Sequence, residues 1–240
     1  PRMKQTLVHV HPEEDELGRI YQPELGIQSG LTEFASAITD KTFKVNVKKT
    51  ATTKDLRLQY EKFVTPSNCP GDVHIGEILS WIDNRLPNDA IVSCGAGNYT
   101  HWILRFIQHR QFGTQLAPLG AVMGYSVPAA IAASIQYPDR ICIAFAGDGC
   151  FLMNAQEIAT AKMYGARPII IIINNGIYGA IRMHQERVFP TRSIGTDLVN
   201  PDFVAYAKSF GANAYRITKT EDFEEAFEAA ITNQGPSVIE

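Results

Sequence analysis

The 240-residue chain sets 22 Lys+Arg against 25 Asp+Glu, a formal net charge of −3, with 45% hydrophobic and 20% charged residues. A chain this long buries most of its unfolded surface in one generous α/β domain or two small ones without disulfides. The charge balance excludes a general basic field for nucleic acid, and the longest aliphatic run, 169–173, is far short of the roughly 18 residues of a membrane span.

Cys69, Cys94, Cys142 and Cys150 lack C-x-x-C spacing and two of them sit in strand-like runs. They read as reduced, partly buried thiols of a cytoplasmic protein, with no sign of zinc. The chain begins Pro1-Arg2-Met3-Lys4 and stops at Ser237-Val238-Ile239-Glu240 inside a strand-like run, so a piece of a longer polypeptide is expected. No signal or transit segment is visible in it.

In chain order, residues 6–10 read as a short strand, followed by the acidic turn Pro12-Glu13-Glu14-Asp15-Glu16 and a weak helix over 31–38. Residues 41–70 turn Lys- and Thr-rich, with Lys44, Lys48, Lys49, Lys54 and Arg57, and end in the breakers Pro66-Ser67-Asn68-Cys69-Pro70-Gly71. They read as a connecting segment with a solvated charged face. Beyond Asp72, a candidate N-cap, Ile75, Ile78, Leu79, Ile82 and Leu86 recur at helical spacing. Strands are expected at 90–94, 141–146, 168–173, 214–217 and 237–239, and helices at 99–109, 124–135, 154–164, 202–210 and 221–231. Short, unbroken, β-branched strands alternating with helices predict a doubly wound parallel sheet with helices on both faces. The expected division is 1–40, a 41–70 linker, and a sheet domain over 71–240.

Ligands of open parallel sheets bind beyond the carboxyl ends of the strands, and three such ends stand out. The strand at 90–94 runs into Gly95-Ala96-Gly97-Asn98-Tyr99. Thr100 stands where a dinucleotide fingerprint needs its third glycine, which ranks a nicotinamide dehydrogenase last. Two readings remain: a tight turn with no ligand, or a turn that raises backbone N–H groups to an anionic phosphate. The other two ends carry Gly147-Asp148-Gly149-Cys150 and Asn174-Asn175-Gly176. Mg²⁺ takes few oxygen ligands from protein and the rest from phosphate and water. Asp148 offers a carboxylate, Asn175 an amide oxygen, and the glycines let backbone approach a phosphate closely. Each motif alone is a common turn; at two strand ends with one helix between, the pair is far more specific.

Other candidates carry less. His184-Gln185-Glu186 has no second His at zinc spacing, and the Asn98-Tyr99-Thr100 sequon lies in the phosphate turn. His9, His11, His74, His101 and His109 read as surface or satisfied core residues.

With these residues in place, the sequence resembles the thiamine diphosphate-dependent enzymes of the acetolactate synthase and pyruvate decarboxylase superfamily. Their cofactor motif opens Gly-Asp-Gly and closes Asn-Asn, here Gly147 to Asn175, with Gln156-Glu157-Ile158-Ala159-Thr160 between. The likeness extends through Gly95-Ala96-Gly97-Asn98, Met123-Gly124-Tyr125-Ser126-Val127-Pro128-Ala129-Ala130 and Tyr178-Gly179, and covers residues 70–240. It implies a thiamine diphosphate-binding fold there, with 1–40 as the tail of a central domain.

The resemblance also implies roles. Asp148, Asn175 and the carbonyl of Ile177 would hold Mg²⁺, and Gly97, Asn98, Tyr99, Gly147, Gly149, Cys150 and Tyr178 would surround the diphosphate. Met123, on its own merits core filler, would wedge the cofactor into a bent shape that sets its aminopyrimidine nitrogen beside the thiazolium carbon. The carbonyl of Ala121 would accept from the 4′-amino group. The implied substrate is a 2-keto acid, to be decarboxylated or ligated, with Ala180 and His184 near its entry; Arg182 or His184 could meet its carboxylate. Acetolactate synthases proper tend to carry Met and Trp at the places of Ala180 and His184. No catalytic side chain is assigned here, because the activating glutamate belongs to a pyrimidine-binding domain, usually from another subunit. A homodimer or homotetramer is therefore implied, and this chain alone is expected to be inactive. A competing reading is a catalytically silent nucleotide-phosphate binding module or regulatory subunit built on the same turns.

Overall fold

The computed structural model describes residues 5–39, 41 and 47–240. Residues 1–4 and Lys44, which figure in the sequence reading, lie outside the described residues, as do the side chains of Lys48 and Lys49. The chain forms two compact units, 1–58 and 59–240. In the first, β1 (Val8–His11) pairs in parallel with β2 (Leu25–Gln28), and α1 (Leu31–Thr39) follows. The Gly18 N–H donates to His9 Nδ1 at 3.3 Å, tying down the loop between the strands. The 41–70 stretch contains a helix, α2 (Val47–Phe63), that runs across the boundary between the units. Its apolar residues Leu56, Leu58, Tyr60 and Phe63 are exposed and too few among its polar residues to announce an amphipathic helix, so the helix propensity of its Lys, Arg, Gln, Glu and Leu is what marks it.

The second unit runs α3 (Ile75–Arg85), β3 (Ile91–Cys94), α4 (Tyr99–Phe106), β4 (Gln115–Leu116), α5 (Ser126–Gln136) and β5 (Cys142–Gly147). It continues α6 (Asp148–Asn154), α7 (Ile158–Met163), β6 (Ile169–Ile173), α8 (Gly179–Val188), α9 (Phe203–Ser209), β7 (Asn213–Tyr215), α10 (Phe223–Thr232) and β8 (Ser237–Ile239). The strands form one parallel sheet in the order β4-β3-β5-β6-β8-β7. Ile143, Ala144, Phe145 and Ala146 of β5 and Ile169 to Ile172 of β6 are all buried, as strands covered on both faces must be.

Right-handed crossovers decide which helix covers which face. The connections β4 to β5, β5 to β6 and β6 to β7 advance one way along the sheet, so α5, α6, α7 and α9 share a layer. Those from β3 to β4 and β7 to β8 run the other way, which puts α4 and α10 opposite. Ring contacts agree. Phe151 of α6 meets Phe203 of α9 edge-on at 5.4 Å, and Trp81 of α3 meets Phe227 of α10 at 5.5 Å. The chain therefore leaves β3 and β5, which are neighbours, in opposite directions, and that reversal opens a crevice beyond their carboxyl ends.

Several boundaries differ from the sequence expectation for local reasons. Asp72 does not cap α3: His74 holds the N-cap position, and the Asp72 carbonyl accepts from Thr220 N–H at 3.0 Å. Helix α4 stops at Phe106 rather than near 109, because the Asp83 carboxylate captures the Gln108 N–H at 2.6 Å. The helix expected over 154–164 is divided: α6 begins directly at Asp148, and a short 3₁₀ turn separates it from α7. No described helix is long and apolar enough to cross a membrane.

Candidate functional site

A cleft of about 330 Å³ opens beyond the ends of β3, β5 and β6. The β3 end contributes Gly97, Asn98 and Tyr99, the β5 end Gly147 to Cys150, and the β6 end Asn175 and Ile177 to Ile181. Ala121 and Met123, from the segment between β4 and α5, complete the wall, and Met123 packs against the main core. Every site residue expected from the sequence lines this cleft except His184 and the alternative carboxylate anchor Arg182. His184 is exposed on α8, its Nδ1 3.0 Å from the Arg187 guanidinium. The Arg182 guanidinium is engaged by Glu186 and Asp197, each at 2.9 Å.

At the β3 end, Gly97 adopts φ +144°, which side chains rarely tolerate. The Tyr99 ring turns inward, and its hydroxyl accepts from the Gly95 N–H at 3.1 Å. Burial, reinforced by the nearby Cys150 thiol, pushes the phenol far above its ordinary pKa, so it stays neutral and structural. Cys150 is likewise occupied, its thiol 2.9 Å from the Ala96 carbonyl. At this corner, backbone groups at the start of α4, rather than the Tyr99 hydroxyl, are left for an anion.

Asp148 is 3% exposed and begins α6 at the end of β5. Its Oδ1 accepts from Gly149 N–H at 2.8 Å, and Oδ2 from Gly176 N–H at 2.7 Å and Asn200 Nδ2 at 2.8 Å. An ionised carboxylate has about four acceptor positions, so room remains for one more partner. Asn175 Oδ1 takes the Ile177 N–H at 3.1 Å, and the Ile177 carbonyl takes the Gly179 N–H at 2.9 Å. Each of these oxygens keeps a second lone pair. Three oxygens of hard character, one anionic, thus line one cleft with spare acceptor capacity, which fits a small divalent cation. The register pairs Gly147 with Ile173, which brings the two motifs side by side.

The side-chain amides of Asn98 and Asn175 both lie beside Gly179: a Cβ there would be 3.4 Å from Asn175 Nδ2 and 3.8 Å from Asn98 Nδ2. The starts of α4 and α8 both line the cleft, adding helix-dipole attraction for anionic groups. Gly149 serves packing as well as approach, because a Cβ there would sit 2.6 Å from Cε1 of the Tyr178 ring.

Asn200 is the part that sequence reading missed. Asn200-Pro201 reads as an ordinary turn ahead of a helix, and nothing local announces a carboxylate 52 positions away. Asn200 Nδ2 also donates to Asn174 Oδ1 at 2.8 Å, while its own Oδ1 is buried without a partner.

Comparison with known proteins agrees with this geometry. Residues 95–240 match the family model described as thiamine pyrophosphate enzyme, C-terminal TPP binding domain. The chain is 34% identical to the acetolactate synthase large subunit of Parasynechococcus marenigrum, over 71% of this chain and 28% of the relative. It is 31% identical to the acetolactate synthase large subunit of Corynebacterium glutamicum, over 98% of this chain and 39% of the relative. Against the acetolactate synthase isozyme 2 large subunit of Escherichia coli the figures are 30%, 71% and 32%. The chain thus spans about a third of the length of these curated relatives.

Proposed function

Because this chain belongs to the thiamine pyrophosphate enzymes and carries their C-terminal cofactor-binding domain, we propose that it forms the diphosphate- and Mg²⁺-binding half of an active site for 2-keto acids. The observation that carries the proposal is the meeting of Asp148, Asn175 and the Ile177 carbonyl in one cleft, each with acceptor capacity to spare. Thiamine diphosphate supplies the electron sink for breaking or making a carbon–carbon bond beside a carbonyl. The protein's share is to bind and orient. Asp148, Asn175 and Ile177 would hold the ion. Backbone around Gly97, Asn98, Tyr99, Gly147, Gly149, Cys150 and Tyr178 would hold the diphosphate. Met123 would support the bent cofactor from the core side, with the Ala121 carbonyl facing its amino group.

Asp148 is the one ionisable carboxylate among the described residues that line the cleft. An activating glutamate would come from a pyrimidine-binding domain, most simply of a second subunit in a homodimer or homotetramer. At the mouth, Ala180 and Ile181 present apolar surface, which suits the carbon chain of a 2-keto acid. His184 would act only if the mouth extends along α8. The pairing of Arg182 with Glu186 and Asp197 speaks against it as the carboxylate anchor. The acetolactate synthase relatives support decarboxylation or carboligation as the reaction class, and four free cysteines support a reducing compartment such as the cytoplasm.

Calorimetric titration with thiamine diphosphate and Mg²⁺ tests the assignment. Asp148→Ala should abolish the Mg²⁺-dependent heat that the unaltered protein gives; equal heats from the two proteins would remove the metal role.

A further inference from the structure

We propose that Asn200 is a positioning residue of the metal site, holding Asp148 in its ligating orientation through Nδ2. The inference rests on the reading of Asp148 as a magnesium ligand. Asn200 Nδ2 lies 2.8 Å from Asp148 Oδ2 and 2.8 Å from Asn174 Oδ1. Both neighbours are acceptors, so the amide is fixed with its nitrogen toward them; a flipped amide would set oxygen against oxygen. Asn174 is steadied in turn by donating through its own Nδ2 to Glu240 Oε1 at 2.8 Å.

The remaining contacts of the Asp148 carboxylate are backbone N–H groups of Gly149 and Gly176. Asn200 is therefore the only side chain among the described residues that steers it. Its Oδ1 is buried and unpartnered, an unusual state for an acceptor, since buried polar atoms nearly always find a donor. Partners that orient ligands in this way change metal affinity about 10- to 100-fold when removed.

The test is Mn²⁺ binding, followed by electron paramagnetic resonance, to the full-length enzyme with thiamine diphosphate present, beside the melting temperature of the metal-free protein. Asn200→Ala should raise the Mn²⁺ Kd about tenfold or more, with Asn200→Ser, which retains a donor, in between. Wild-type affinity in Asn200→Ala alongside lost affinity in Asp148→Ala would overturn the role of Asn200 alone. A lowered melting temperature with unchanged affinity would also overturn it, because that is the signature of packing. Wild-type affinity in Asp148→Ala would bring down the magnesium reading and this inference with it. Should Asn200→Ala fail to fold, the Asn200→Ser affinity decides.

Discussion

The glycines around the cleft differ in what they make room for, and the difference is measurable residue by residue. Gly149 faces the Tyr178 ring, with a Cβ position 2.6 Å from Cε1 and 3.4 Å from Leu198 Cδ1. Gly149→Ala must displace the ring that stands over the start of α6. The expected cost is about 1–3 kcal/mol of stability, together with weaker thiamine diphosphate binding, read by thermal melting and calorimetry on one preparation. Tyr99→Phe isolates a different effect. It leaves the ring in its slot between Gly95, Gly97 and Gly147 but strands the buried Gly95 N–H. A loss of about 1–2 kcal/mol follows, while cofactor affinity should stay near that of the parent, since the hydroxyl is already engaged by the Gly95 N–H. A large loss of affinity would show that the phenol itself contacts the diphosphate. Asp148 and Asn175 were conspicuous in the sequence as candidates because each closely follows an unmistakable apolar strand. Asn200 was not, because its meaning lies in a partner that only the folded sheet brings near.

Among the elements, α3 and α4 are joined by a polar clamp as well as by aromatic packing. Asp83, 7% exposed near the end of α3, accepts from Gln108 N–H at 2.6 Å and from Arg110 NH2 at 2.7 Å. Removing the carboxylate orphans the Gln108 amide, while the partly exposed Arg110 guanidinium keeps the Asp83 and Gln108 carbonyls. Asp83→Ala should therefore cost about 1–3 kcal/mol. Asp83→Asn, which keeps an acceptor for Gln108, should cost clearly less. Denaturant unfolding of the two variants checks the order, and equal losses would mean that the amide contact contributes nothing. The same scale explains which elements the sequence announced. Strands β3, β5, β6 and β8 are buried, largely apolar runs, and their pattern suffices. Strand β4 is the two residues Gln115–Leu116 at the sheet edge, too short for any period. Helix α6 opens on Asp-Gly, whose local preference is a turn; the packing of Phe151 against Phe203 and Tyr206 overrides it. Helix α8 buries no residue, so no apolar stripe marks it.

For the molecule as a whole, the all-parallel sheet has a consequence beyond placing the cleft: its strands are sealed from water on both faces, and ionisable groups within them are sealed too. Burial pushes the Cys142 thiol up to about 11 from its ordinary 9.0, with Arg140 only partly opposing. Cys94, on the neighbouring strand, is raised by burial as well, and Tyr99, which opens the helix beyond that strand, is raised further still. In each case the folded protein favours the neutral form while the unfolded chain ionises at the ordinary value. Above the ordinary thiol pKa the unfolded state thus binds fewer protons than the folded one, and stability falls as pH rises. The contribution is fully present below about pH 9 and is lost progressively as pH climbs toward the raised pKa of Cys142, near 11. Urea unfolding at a series of alkaline pH values should show this decline. Cys142→Val, which places a strand-favouring apolar side chain without a titratable group in β5, should make it shallower between pH 9 and 11. An unchanged slope in that variant would place the alkaline sensitivity elsewhere, with Tyr99→Phe as the next variant to separate the phenol from Cys94.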